Sequence, residues 1–147
     1  MGGWRPLLRS APYTQLCDGF RWSIPARLNM AAQVCDSWAE AEPARVAIID
    51  LSGEGPRDVT YGALRAMADG LAHILVARGV QRGDRVGVLR SQGGWCAAAH
   101  IAIWKIGAIS IPLFKLFKED ALVSRVGDAG AKVVVTDVEG AAMLRAL

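Results

Sequence analysis

The length, composition and charge of the chain set the first bounds on its structure. It has 147 residues, of which 52% are hydrophobic and 21% are charged. A chain of this length makes about one domain and can bury roughly 68–70% of its unfolded surface, which argues against disorder. The net charge is +3, and the 13 arginines are scattered singly from Arg5 to Arg145, which argues against a nucleic-acid partner. The mean hydropathy of +0.25 is high for a free-standing soluble domain.

The N-terminal sequence and the cysteines predict a cytoplasmic protein. No continuous apolar run follows the first residues, so a secretory signal is not expected. Cys17, Cys35 and Cys96 are odd in number and far apart, which favours free thiols over disulfides. The apolar stretch 95–114 carries Lys105 at its centre. A charge there costs about 2.5–3.5 kcal/mol in a bilayer, so the stretch is predicted to be a buried helix and strand rather than a membrane span.

The chain divides into a lead-in and a folded region. Residues 1–28 are predicted to be irregular because prolines and a glycine interrupt any regular period. Residues 29–147 are predicted to form the domain. Asn29 is the expected N-cap of a first helix over 30–41, whose apolar residues recur at helical spacing.

A hairpin and a second helix are predicted next. The β-branched run 46–51 and the short run 58–61 flank a turn-rich segment, and they are expected to pair as a β-hairpin. Thr60 is the expected N-cap of a helix over 62–78. Gly79 fits the left-handed residue that closes such a helix.

From residue 83 onward, strands alternate with helices. Strands are predicted at 85–89, 108–112 and 132–136, and helices at 95–106, 119–126 and 138–147, the last with Asp137 as a candidate cap. This alternation with short links is typical of a parallel sheet wrapped by helices. The predicted fold is therefore α/β, a parallel βαβαβ sheet flanked by helices and preceded by a helix and a short β-hairpin.

Ligands in parallel α/β sheets collect beyond the carboxyl ends of the strands, which directs attention to three loops. The loop 90–94 contains two glycines that could approach a phosphate, but it has no recognised phosphate-loop pattern and is better interpreted as an ordinary connection. The loop 114–118 contains two phenylalanines and two lysines. These could line a tunnel for an acyl chain or a phosphate-bearing ligand, or the rings could pack while the lysines face water. Asp137 is favoured as a helix cap over a catalytic acid.

Cys96 and His100 form the remaining candidate pair, since residues four apart share one face of a helix. No third ligand is evident, so packing is favoured over a metal site. No nucleophile with its base is recognised, and no catalytic residue is predicted.

Several segments, in order and with matching spacing, resemble the start of AMP-forming acyl-CoA synthetases of the adenylate-forming superfamily. Val59–Leu64 resembles that family's "TYGEL" element and 78–86 its "GV-x-x-GDRV" element. Residues 100–108 with 112–114 resemble its "K-x-GA…PLF" segment. The resemblance covers about residues 18–140, and further matching segments lie at 20–31, 34–39, 43–49 and 129–137.

The resemblance implies a ligase that activates a carboxylic acid with ATP and transfers the acyl group to CoA, with Mg as a cofactor of the full-length family. It implies that the family's phosphate loop and its C-terminal lysine lie downstream of the matched region, because no Ser-Gly-Thr-Thr-Gly-like run occurs between Met1 and Leu147. The chain is therefore expected to be a partial N-terminal domain that binds no cofactor and lacks catalysis by itself.

The resemblance also implies a limited set of site residues. Phe114, Lys115, Leu116 and Phe117 fall where relatives run past the acyl and pantetheine tunnel, and Arg145 lies near an arginine that some relatives use for the CoA phosphates. No metal ligand is implied. The family's Pro-Glu is replaced by Gly93-Gly94, and Lys115 and Lys118 replace residues that are commonly small.

A second hypothesis is a non-catalytic α/β binding module. The high apolar fraction suggests a face that docks on a complementary synthetase fragment. A third hypothesis is a small flavodoxin-like protein that binds a nucleotide.

Overall fold

The computed structural model of the protein describes residues 12–22 and 24–145, and its first element is a short helix. Helix α1 (Tyr13–Gly19) lies inside the lead-in that was predicted to be irregular. The structure differs from the prediction over these 7 residues because Pro12 stands at the N-cap, where a missing N–H costs no helical hydrogen bond. α1 has no buried residue and adds nothing to the core.

The next helical segment begins at Met30, as the sequence predicts. A π-helical turn (Ala32–Asp36) continues directly into α2 (Ser37–Ala41). The side-chain oxygen of Asn29 accepts hydrogen bonds from the backbone N–H groups of Ala31 at 2.9 Å and Ala32 at 3.4 Å. Asn29 is thus the N-cap of this segment, as predicted.

The predicted hairpin and its following helix are confirmed. Strand β1 (Val46–Asp50) pairs antiparallel with β2 (Arg57–Thr60), and α3 (Tyr61–Ala77) follows without a loop. The Thr60 hydroxyl accepts a hydrogen bond from an N–H of the first turn of α3 at 3.2 Å. Gly79 has a φ of +80°, a conformation that few residues other than glycine adopt, and it ends the helix as predicted.

The rest of the described chain forms a three-stranded parallel sheet in the order β4-β3-β5. The strands are β3 (Arg85–Leu89), β4 (Ile109–Leu113) and β5 (Val133–Thr136). The helices are α4 (Gly94–Lys105), α5 (Glu119–Asp128) and α6 (Val138–Arg145). The predicted α/β class and βαβαβ alternation are confirmed, with boundaries that differ by one or two residues. Pro112 lies within β4, which is at one edge of this sheet, where a missing N–H is tolerated.

Side chains of the central strand alternate between two apolar clusters. Val86 and Val88 of β3 point to the face covered by α3 and α4, and together with Leu64, Ala68 and Ile103 they belong to the larger cluster. On the opposite face, Leu89, Leu113 and Leu122 form a smaller cluster against side chains of α5 and α6. The period of two is that of a strand buried on both faces.

A charged network joins the N-terminal segment to α3 and α4. The ammonium group of Lys105 contacts the carboxylates of Asp36 and Asp69, the latter at 2.9 Å, and its side chain is 14% exposed. Burial alone would lower the pKa of Lys105, but the hydrogen bonds to the two carboxylates outweigh it, so the pKa is raised. The charge that interrupts the apolar stretch 95–114 is thereby neutralised inside the fold. Within the ranges that the structure describes, no helix combines the length and apolar character needed to cross a membrane.

Candidate functional site

The parallel register brings three loops to one edge of the sheet. Leu89 at the end of β3 is opposite Leu113 of β4 on one side and Thr136 of β5 on the other. The chain segments that follow these residues therefore leave the sheet side by side. We call this set of segments the carboxyl edge, comprising 90–93, 114–118 and Asp137. It is the place where ligands of parallel α/β proteins bind.

Lys115 ties the three segments of the carboxyl edge together. Its ammonium group lies 2.8 Å from the Ser91 hydroxyl, 2.8 Å from a carboxylate oxygen of Asp137 and 2.7 Å from one of Glu139. Hydrogen bonds to Asp137 and then Glu139 raise the pKa of Lys115, so the group is charged at neutral pH. Because two carboxylates already contact Lys115, its charge is engaged within the protein.

Asp137 acts as the helix cap that the sequence favours. One carboxylate oxygen accepts the Gly140 N–H at 3.0 Å at the start of α6, and the other accepts the Ser91 N–H at 3.3 Å. The hydrogen bond from Lys115, followed by that from Gly140, holds the pKa of Asp137 well below its usual range. A carboxylate held ionised in this way cannot serve as a general acid near neutral pH.

The apolar side chains of the loop after β4 point in different directions. Phe114 and Phe117 meet edge to face with ring centroids 5.4 Å apart, and the Arg125 guanidinium lies 4.5 Å from the centre of the Phe117 ring. Leu116 is 95% exposed. The structure therefore brings the Phe114 and Phe117 rings together, whereas Lys115 contacts Asp137 and Glu139 and Leu116 extends outward.

Arg145, the fifth residue predicted for the site, lies at the C-terminal end of α6. Its side chain is exposed. Within the described ranges, no hydrogen bond or ion pair joins it to the loop 114–118. Its assignment to a phosphate stays a prediction, as do those of the four loop residues.

The Gly93-Gly94 pair serves a buried carboxylate that the sequence analysis did not identify. Asp50, at the end of β1, is 4% exposed and accepts the Gly94 N–H at 2.9 Å and the Ser52 N–H at 2.9 Å. Gly93 has a φ of +150°, and a Cβ there would lie 3.1 Å from both Asp50 carboxylate oxygens. The glycines thus allow the loop after β3 to approach Asp50, which supports its interpretation as a connection rather than a phosphate loop.

Several donors fix the charge state of Asp50. The Ser52 hydroxyl, the backbone N–H groups of Gly94 and Ser52, and the Arg57 guanidinium all lower its pKa, and together they outweigh the effect of burial. A sequence signal did exist, because a carboxylate ends an apolar strand and the turn residues Ser52-Gly53 begin two positions later. The signal could not name the partner, since Gly94 is 44 residues away.

A cleft of about 600 Å³ lies between β1 and α4. Its polar lining includes Asp50, Gln92, Cys96 and His100. Burial raises the pKa of the Cys96 thiol and lowers that of His100, whose Nδ1 is hydrogen-bonded to the Ser110 hydroxyl. Within the described part of the chain, no group of three His, Cys, Asp or Glu side chains could hold a metal ion. Cys96 is 8% exposed and belongs to the larger apolar cluster.

The fold matches part of the N-terminal domain of acyl-CoA synthetases. The acyl-CoA synthetase of Brucella canis superposes with a TM-score of 0.73 and 31% identity, over 80% of this chain and 22% of that one. A fatty acyl-CoA synthetase of Mycobacterium tuberculosis gives a TM-score of 0.71 at 24% identity, over 79% and 23% of the two chains.

Sequence comparison assigns the family directly. The family model described as AMP-binding enzyme matches residues 35–147, and the chain belongs to this family. It is 35% identical to the acetyl-coenzyme A synthetase of Novosphingobium aromaticivorans over 125 residues, and 38% identical to that of Penicillium chrysogenum over 122 residues. These matches take in 83% and 81% of this chain but 19% and 18% of the relatives. The chain therefore spans about a fifth of the length of the curated relatives it matches.

Proposed function

We propose that this chain is the N-terminal part of an AMP-forming acyl-CoA ligase acting on acetate or a medium-chain acid. The observation that carries the proposal is the match to the AMP-binding family over 35–147 together with acetyl-coenzyme A synthetases as relatives. In the proposed reaction, a carboxylate oxygen bonds to the α-phosphorus of ATP and pyrophosphate leaves. The CoA thiol, losing its proton, then attacks the acyl carbon, and AMP leaves.

The described residues support a binding role in this reaction rather than a chemical one. The carboxyl edge contributes the phenylalanine pair Phe114 and Phe117 and the exposed Leu116, which are suited to an acyl or pantetheine chain. Arg145 is exposed and free to approach a CoA phosphate once CoA is bound. Lys115 orients the loop, because its charge is already engaged by Asp137 and Glu139.

Among the described residues, no group of carboxylates could hold Mg²⁺. Asp137 of the carboxyl edge and Glu139 in the first turn of α6 both contact Lys115. We therefore propose that ATP and Mg²⁺ bind through other parts of the full-length enzyme. The 147 residues alone are proposed to lack ligase activity.

Carboxylate-dependent exchange of pyrophosphate into ATP tests this proposal. The isolated protein is expected to give no exchange with acetate or octanoate. Adding the remaining part of the Novosphingobium enzyme, made without the region matched here, is expected to restore exchange. Exchange by the isolated protein would overturn the assignment of catalysis to other segments.

The same assembly tests the predicted site residues. Arg145→Ala is expected to raise KM for CoA and leave pyrophosphate exchange unchanged, because exchange precedes CoA binding. Arg78→Ala, at an exposed position on the helix α3 terminus, is the matched control. A loss of exchange in Arg145→Ala would contradict a role confined to CoA.

The alternative is a non-catalytic module that docks on a complementary synthetase fragment. It is favoured by apolar side chains exposed on β1 and just beyond it, where Ile49 is 63% and Leu51 71% exposed. Complex formation without restored exchange would support this module, and Ile49→Ser with Leu51→Ser should then abolish the complex. Restored exchange would favour the ligase.

A further inference from the structure

A second, smaller cleft lies on the α3 and α4 face of the sheet, away from the loop 114–118. Its volume is about 250 Å³. Its walls are Leu71 of α3, Trp95 of α4, Val135 and Thr136 of β5, and the side chain of Arg90. We call it the Arg90 cleft. Three of its walls are apolar, and the guanidinium group is its one charged component among the described residues.

The guanidinium of Arg90 is incompletely paired. Its Nε atom is buried and makes no hydrogen bond to any of the described residues. One Nη atom reaches the Thr136 carbonyl at the long distance of 3.4 Å. Buried polar atoms are satisfied in the large majority of cases, so a buried charged donor without an acceptor requires an explanation.

No carboxylate of the described chain neutralises Arg90. The ion pairs of this region lead elsewhere: Asp137, the acidic residue closest in sequence to the cleft wall, is held by Lys115 at 2.8 Å. Asp50 is held by Gly94 and Ser52. A cation that is partly removed from water and has no anion beside it favours the binding of one.

The lining decides which anion fits. A guanidinium presents donors in a plane that matches a carboxylate or phosphate. A fully polar ion would make no favourable apolar contact with the side chains of Leu71, Trp95 and Val135. An alkyl chain would bury apolar surface against them, which lowers the free energy of binding. Pockets for drug-sized ligands are about 300–1,000 Å³, so a cleft below this range suits a small molecule.

We propose that the Arg90 cleft binds a short-chain carboxylate, with the carboxylate on the Arg90 guanidinium and the alkyl chain against Leu71, Val135 and Trp95. Arg90 begins the segment 90–93 of the carboxyl edge, but the lining of the cleft includes no residue of the loop 114–118, where the acyl and pantetheine tunnel is proposed. The proposed site does not rest on the ligase proposal, since binding here requires no other part of an enzyme.

Titration of the 147-residue protein with butyrate, followed by ¹H–¹⁵N NMR, tests the proposal. The Arg90 Nε–H and Trp95 indole N–H signals are expected to shift together and to saturate at millimolar butyrate. The Trp104 indole signal is expected to stay in place, because Trp104 is outside the cleft lining. Absence of a saturable shift at about 10 mM, the concentration scale of a weak site, would overturn the proposal.

Variants at position 90 distinguish the effect of losing the guanidinium group from the effect of losing the folded structure. Arg90→Met is expected to weaken butyrate binding by about tenfold or more, the scale of losing one charge-assisted hydrogen bond. It should keep the wild-type spectrum elsewhere, since no ion pair of the described chain is removed. Arg90→Lys, which keeps a charge but lacks the planar fork, covers the case in which the methionine variant does not fold, and it should weaken binding severalfold. Arg78→Met, at an exposed arginine, should bind as the wild type does.

Two further ligands define the chemistry. Butyramide has the same shape without the charge, and equal binding of butyramide would overturn the role of the guanidinium. Inorganic phosphate has the charge without the alkyl chain, and phosphate binding as tight as butyrate would overturn the assignment to a carboxylate with an apolar chain. Binding of butyrate well above both supports it.

Discussion

The two faces of the parallel sheet are enclosed to different extents. On the α3 and α4 face, small residues such as Ala98, Ala99 and Ala102 are fully buried and let the helices approach each other closely. On the α5 and α6 face, the buried set is Leu89, Leu113 and Leu122, and its neighbours are partly exposed. The first, which we call the closed face, has the close packing of a domain interior. The second, which we call the open face, leaves the neighbours of its buried leucines partly exposed to solvent.

Beside each face, a charged residue also links two neighbouring elements of the fold. Asp50 joins the hairpin to the start of α4 and is 4% exposed, with backbone donors fixing its position. Lys115 joins the loop after β4 to α6, and its partner Glu139 is 73% exposed. The comparison indicates that the closed face, apart from the Arg90 cleft, is a packed structural base, whereas the side chains of the open face are less enclosed.

Truncating one buried aliphatic residue on each face gives the largest expected contrast. Ile103→Ala on the closed face should cost about 3–5 kcal/mol of unfolding free energy, because close-packed neighbours cannot collapse into the cavity. Leu122→Ala on the open face should cost about 2–3 kcal/mol, because its neighbours are freer to move. Urea unfolding measures both. Equal costs would contradict the difference in packing.

A methyl group added at Gly140 tests how tightly α6 sits on the open face. A Cβ there would meet the Thr136 hydroxyl and lie 2.9 Å from the Leu89 carbonyl oxygen. We expect Gly140→Ala to cost about 1–3 kcal/mol, the scale of overpacking. Gly70→Ala in α3 is the matched control, since a Cβ there meets nothing within 4 Å. Gly70→Ala should stabilise the protein by about 0.5–1 kcal/mol. Thermal unfolding of the two variants measures both effects.

The strands and helices were predictable because their signals are local. Helical spacing, Asn29 and Thr60 as caps, and Gly79 at a helix end all act within a few residues along the chain. The order β4-β3-β5 was left open by the sequence analysis, since it depends on contacts between strands far apart in sequence. The lead-in was less predictable, because α1 has no buried residue and no side-chain cap that a pattern could reveal.

The candidate site was predicted in part. The rule for parallel sheets directed attention to three loops that the structure brings to one edge of the sheet, and Asp137 as a cap follows from its position before α6. The roles of Lys115 and Asp50 were missed, because their partners Asp137 and Gly94 are brought close by the register of the strands and by the approach of the hairpin to α4. Such pairings depend on tertiary structure and leave no trace in spacing.

Acid sensitivity distinguishes Asp50 from exposed carboxylates. The pKa of Asp50 is lowered in the folded state, so its contribution to stability is present above the unfolded pKa near 4 and is lost as pH falls toward the folded value. Asp50→Asn should therefore be less stable at pH 7 and should show a smaller loss between about pH 5 and pH 2. Asp58→Asn, at an exposed position, is the control. A wild-type acid profile in Asp50→Asn would contradict this assignment.

Substitution of Lys115 is expected to have the smallest effect on stability. The residue matters mainly because it positions the loop 114–118. The pKa of Lys115 is raised in the folded state, so its contribution is full below the unfolded pKa near 10.5 and is lost as pH rises through the folded value. Lys115→Met should remove this alkaline loss and part of the salt dependence of unfolding, while Lys118→Met, at an exposed lysine, should keep both.

The decisive readout for Lys115 is the order of the loop that it holds. Without the contacts to Asp137 and Glu139, the loop 114–118 loses its attachment to α6, and the Phe114 and Phe117 rings should lose their fixed edge-to-face geometry. Nuclear Overhauser contacts between the two rings should then weaken in Lys115→Met and persist in Lys118→Met. Persistent ring contacts in Lys115→Met would mean that the apolar packing alone orders the loop. The loop beside the open face would then not depend on an ion pair. Lys115 and Asp50 would differ because only Asp50, on the closed face, is buried.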